Sequence, residues 1–116
     1  MTIKIKAENY SVVYDDIAQS ITFQGSLRLN GTAEYAPISE LLQKVLAQEP
    51  RRIWLDLQHL QFLNSSGISL LSKFVIEVRK HQNIQLLITG SQTIPWQSKS
   101  LKNLQRLMPT LTLELA

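Results

Sequence analysis

A chain of 116 residues with 44% hydrophobic side chains is the size of one ordinary domain and can bury a single core. Twelve Lys and Arg against nine Asp and Glu leave a formal charge of +3 with no dense basic block, so charge alone does not nominate nucleic acid as a partner. The absence of cysteine excludes disulfides, thiolate nucleophiles and Cys-based metal sites, fits a reducing compartment, and leaves His59 and His81 as the only imidazoles.

The N-terminal MTIKIKAENY has no apolar signal core, and no run approaches the ~18 apolar residues that span a bilayer. A soluble, cytoplasmic protein without a membrane partner is expected. Residues 3–5 alternate apolar and polar, residues 10–14 are rich in strand formers, and Asp15-Asp16 reads as a turn before the period-two run ITFQGSL at 21–27. The first quarter therefore reads as strands meeting in a hairpin. Asn30-Gly31 is a turn signal, and Pro37 suits the start of a helix that carries Ile38, Leu41, Leu42, Val45 and Leu46 on one stripe. Pro50 ends it.

Residues 53–57, IWLDL, suit a central strand covered on both faces. After the junction FLNSSGISLL at 62–71, a second helical stripe of Ile68, Leu71, Phe74, Val75 and Val78 closes on Arg79-Lys80-His81, where cations complement the helix dipole. A buried strand at 84–88, a loop at 91–97, a third helix at 98–108 with Leu101, Leu104 and Leu107, and an alternating strand at 111–115 complete the plan. The expectation is one α/β domain over residues 1–116: a mixed sheet of four to five strands covered by about three helices starting near Pro37, Gly67 and Ser98.

Asn64, Ser65 and Ser66 are all helix-capping types, since a short side-chain oxygen can accept from a free first-turn N–H. A cap and nothing more is the simplest reading of any one of them. Three candidates for one task leave hydroxyls over, and a helix start tolerates added negative charge. A phosphate there would bring about −1.5 to −2 charges and alter which protein can dock.

The stretch IWLDLQHLQFLNSSGISLLSKF at 53–74 resembles the signature of STAS domains, shared by sulfate transporters and anti-sigma-factor antagonists: an apolar strand, an acid, then Asp-Ser-Ser/Thr-Gly opening a helix. The order of elements matches over nearly the whole chain, with Gly25-Ser26-Leu27 in the place of the family's Gly-x-Leu-Asp turn. The resemblance implies a non-catalytic module of bacterial signal transduction that binds an anti-sigma factor or a switch kinase and is released by phosphorylation of the second hydroxyl residue, here Ser66. Ser65 is the neighbouring candidate and, on the resemblance, structural. Arg28, Asn64 and Gly67 are the expected partner or anion contacts. Asn64 stands where the family has Asp, and Arg28 where the acid of the upstream turn is expected, so the site is less acidic than in its relatives. The chain ends at the strand 111–115 without the closing helix of many STAS domains, as in a divergent, trimmed branch.

Other classes have weaker support. A nucleophilic Ser66 needs a base, and His81 lies at the far end of the second helix, about 20 Å away at 1.5 Å per residue. His59 and Asp56 read as strand-end or loop residues, no ligand spacing suggests a metal, and no cofactor is expected. Lys99, Lys102 and Arg106 with Trp96 make the best case for nucleic acid, yet these cations lie opposite the Leu stripe as on any solvated helix. A small anionic ligand near Arg28 and the Ser66 helix start is the alternative to protein docking.

Overall fold

The structure, a computed structural model, describes residues 2–116 in the order β1 (Thr2–Lys6), β2 (Tyr10–Asp15), β3 (Ser20–Leu27), α1 (Gly31–Ala47), β4 (Arg52–Leu63), α2 (Ser65–Lys80), β5 (Gln85–Gly90), α3 (Gln97–Leu107) and β6 (Thr112–Leu115). Six strands form one sheet in chain order. β1, β2 and β3 pair antiparallel as a meander, whereas β3–β4, β4–β5 and β5–β6 pair parallel, each through a crossover that contains a helix. Parallel crossovers are right-handed, and three of them stepping in one direction across the sheet place every helix on one face. No helix among the described residues is long and apolar enough to cross a membrane.

The core fills the space between that face and the helices. Val12, Phe23, Leu55 and Ile88 come from the sheet, Ile38, Leu42 and Val45 from α1, Leu71, Phe74 and Val78 from α2, and Leu101 and Leu104 from α3. The helix stripes read from the sequence are thus the buried faces, with Ile68 and Leu107 half-buried at their margins.

Four features differ from expectation. The sheet has six strands, because β1 and β6 both pair into it as edges. α1 begins at Gly31, with Pro37 inside the helix. Its first turn is held by Tyr35, which is 2% exposed, and by Glu34, whose carboxylate accepts from the Asn30 N–H at 3.0 Å. These contacts outweigh the hydrogen bond that proline cannot donate. β4 is covered on one face only: Ile53, Leu55 and Leu57 are buried while Trp54 is exposed and Asp56 half-buried. Gly25 lies within β3 rather than in a turn, at φ +89°, where a Cβ would meet the Asn9 carbonyl and come within 3.0 Å of Tyr10 Cα.

Candidate functional site at the junction of β4 and α2

β4 is twelve residues long and β5 six, and their pairing stops at Asp56 and Thr89. Beyond that point β4 runs on beside β3 alone, through two irregularities opposite Thr22–Gln24 and Gly25–Ser26. On its other side, backbone carbonyls need partners. Gln97, fully buried at the start of α3, donates through Nε2 to the carbonyls of Leu57 at 2.6 Å and Leu60 at 3.1 Å, and accepts the Ser91 N–H at 2.7 Å. Trp96 Nε1 donates to Leu60 O at 3.0 Å. Trp96 therefore closes the core edge, while Lys99, Lys102 and Arg106 lie on the exposed side of α3.

This braced arm carries the chain to Asn64, the N-cap of α2. Asn64 Oδ1 accepts from the Gly67 N–H at 3.0 Å and from the Tyr35 hydroxyl at 2.7 Å, and Nδ2 donates to the Leu29 carbonyl at 2.8 Å. The backbone N–H can only donate and the carbonyl can only accept, so both ends of the amide are assigned. A carboxylate could make the first two bonds but not the third, which gives a physical reason for Asn in place of the family's Asp. Gly67 is buried, and a Cβ there would meet Leu63 Cδ1 and come within 2.7 Å of the Tyr35 hydroxyl. Burial raises the Tyr35 pKa above its ordinary value.

With capping done by Asn64, the two serines face outward. Ser65 is exposed, Ser66 half-buried, and neither hydroxyl has a hydrogen-bond partner among the described residues. Ser66 lines a groove of about 300 Å³ between the start of α1 and α2, together with Thr32, Tyr35, Ser39, Ser69 and Lys73. Arg28 lies elsewhere: its guanidinium stacks over the Phe62 ring, 4.4 Å from the centroid, beside a separate concavity with Glu8, Asn9 and Tyr10. Such a pair is held by the attraction of a cation to the ring face. Phe62, 37% exposed at the end of β4, is a surface residue that the sequence reading did not single out.

His59 is exposed within β4 and not in a loop, and Asp56 sits mid-strand, accepting from Thr89 Oγ1 and the Gln58 N–H, both at 3.1 Å. His81 caps the far end of α2. Among the described residues no group of three or more His, Asp or Glu side chains could hold a metal ion.

The fold is similar to three solved structures from Pseudomonas aeruginosa. SiaC superposes with a TM-score of 0.71 at 15% identity, over 100% of this chain and 96% of that one. Apo-SiaC gives 0.75 at 14% identity, over 99% and 98%. A chain in the structure of the diguanylate cyclase SiaD in complex with its activator SiaC gives 0.75 at 14% identity, over 97% of each. No curated protein matches the sequence. The family model for the STAS domain matches residues 17–112, and the chain belongs to that family.

Proposed function

We propose that this STAS domain is a cytoplasmic, non-catalytic regulatory module that docks a protein partner through the surface around Ser66 and is switched by phosphorylation there. The observation that carries the reading is the division of labour at the start of α2: Asn64 caps, and the Ser66 hydroxyl is left without an internal partner at the mouth of a groove. Arg28 and Phe62 add an exposed cation–aromatic pair at the same end of β3 and β4, residue types enriched at protein interfaces. Asn64 and Gly67 serve this surface from beneath, by fixing the helix start. Ser65, also free and exposed, is the secondary acceptor. SiaC is described as the activator of a diguanylate cyclase, so a signalling enzyme stands beside an anti-sigma factor or switch kinase as the class of partner.

The test begins with a pull-down that identifies the partner and maps phosphate on the bait, followed by calorimetry with the wild type, Ser66→Ala and Ser66→Asp. Ser66→Ala is expected to keep stability within about 0.5 kcal/mol, as for a residue outside the caps and core. Ser66→Asp is expected to weaken docking, because a carboxylate in the interface must be desolvated or paired. Equal affinities for all three proteins would remove Ser66 from the docking surface. A second reading, a small anion held in the groove, draws on Lys73, which lines it and has no ion-pair partner among the described residues. Titration with inorganic phosphate separates the two, since only the second reading expects saturable binding to the unmodified protein.

A further inference from the structure

The face of the sheet away from the helices is uncovered, and its side chains are arranged in rows set by the strand register. One row crosses all six strands: Lys4, Val13, Thr22, Asp56, Thr89 and Glu114. It begins on a cation at one edge and ends on an anion at the other, about 24 Å apart at ~4.8 Å per strand. Neither Lys4 nor Glu114 forms an ion pair among the described residues. The next row contains Trp54, 37% exposed and oriented by its Nε1, which donates to Thr89 Oγ1 at 2.9 Å.

Beside Trp54 the face opens into a concavity of about 490 Å³, lined by Arg52, Trp54, Leu87 and Glu114 and rimmed by Ala18 and Gln19 of the β2–β3 hairpin. At the tip of that hairpin stands Ile17, 92% exposed, far more than any other large hydrophobic side chain among the described residues. An apolar knob therefore stands next to a hole with an aromatic wall. A knob and a hole meet in an isologous interface, in which each subunit gives the same patch to the other, when one two-fold axis brings each to its counterpart.

We propose that this face binds a second copy of the chain about a two-fold axis parallel to the strands and passing between β3 and β4. A half-turn about that axis lays β2 and β3 of the partner over β5 and β4. The partner's hairpin tip then lies above the starts of β4 and β5, which brings its Ile17 to the concavity beside Trp54. The same rotation lays β1 over β6, so Lys4 of each copy faces Glu114 of the other. One operator satisfies both complementarities, and sheets packed this way align within about 30° of each other. Six strands at ~4.8 Å and an eight-residue β3 of about 26 Å give a face comparable with the roughly 800 Å² per partner of a standard interface. The Ser66 groove, between helices on the opposite layer, stays free, so the inference does not rest on the proposed switch.

Sedimentation equilibrium over a range of concentrations up to millimolar tests it with the full chain. The wild type is expected to form a reversible dimer. Ile17→Asp, at an exposed tip that the core does not use, is expected to raise the dimer dissociation constant roughly tenfold or more. Lys4→Glu and Glu114→Lys are each expected to raise it by about fivefold at most, and the two together to recover most of that loss. Ser66→Asp should leave it unaltered. The proposal is overturned by a wild type that stays monomeric throughout, including one whose Trp54 is shielded instead by a different protein. It is equally overturned by a dimer indifferent to Ile17→Asp, or by a charge swap that recovers nothing.

Discussion

The starts of α2 and α3 meet the same requirement in opposite ways. Both lie beside backbone carbonyls left over by neighbouring strands and loops, and each meets them with a side-chain amide. At α3 the work falls to Gln97, whose side chain is wholly buried and makes three bonds across to β4 and to Ser91. At α2 it falls to Asn64, which lies just outside the helix and turns inward, leaving Ser65 and Ser66 on the surface. Where the anchoring residue precedes the helix, the first turn is released for contact with other molecules. Where it belongs to the helix, the residue that opens the first turn is committed to the interior.

Breaking the α3 anchor should have the largest effect. Gln97→Leu fits a similar volume but leaves the Leu57 carbonyl and the Ser91 N–H without partners and Leu60 O with Trp96 alone, and is expected to cost about 3 kcal/mol in urea unfolding monitored by circular dichroism. A cost under about 1 kcal/mol would mean that water replaces the amide and that the start of α3 is not sealed. Asn64→Asp probes the other start more finely. The carboxylate keeps the cap and the Tyr35 bond, loses donation to Leu29 O, and is expected to cost about 1 kcal/mol near neutral pH. Protonation restores a donor, so the folded state should bind that proton more tightly than the unfolded chain. The deficit relative to wild type should then shrink as pH falls through the carboxylate range, about 4. A deficit independent of pH would count against the assigned Leu29 contact.

The smallest effect expected is alkaline. Burial raises the pKa of Tyr35, and burial together with the nearby Asp16 and Asp15 charges raises that of Tyr14. Below pH ~10 both states hold these protons; above it the unfolded chain releases them first, so stability is lost as pH rises through the folded values. Thermal melts across that range should show a decline that is shallower in Tyr35→Phe than in the wild type, measured as a slope so that the lost Asn64 bond is common to all points.

Much of the helical layer was legible in the sequence because its periodicity is clean: Ile38, Leu41, Leu42, Val45 and Leu46, and Leu71, Phe74, Val75 and Val78, are all buried. β4 was legible only in its first half. Its buried residues are Ile53, Leu55, Leu57, Leu60 and Leu63, so the spacing changes from two to three where β3 and β4 lose register. A strand that bulges hides its own period. Of the site, the surplus of capping residues was visible, since it depends on residue types at adjacent positions. The Arg28–Phe62 stack and the reach of Gln97 to β4 were not, because each joins residues more than thirty positions apart, the first through the parallel register of β3 and β4 and the second where β5 no longer pairs with β4. The long β4 arm made a partner for Leu57 O and Leu60 O obligatory, but only after its length was known.

The placement of charge at the two ends of the open sheet also bears on solubility. A six-stranded sheet with a bare face and two free edges is a template for adding further strands, the route by which native proteins begin to form fibrils. β1 is short and carries Lys4 and Lys6, and β6 has four residues of which one is Glu114. A strand arriving at either edge would have to desolvate these charges for few backbone bonds in return. Growth sideways is thus discouraged at both ends, and the route left open to a second copy is face to face.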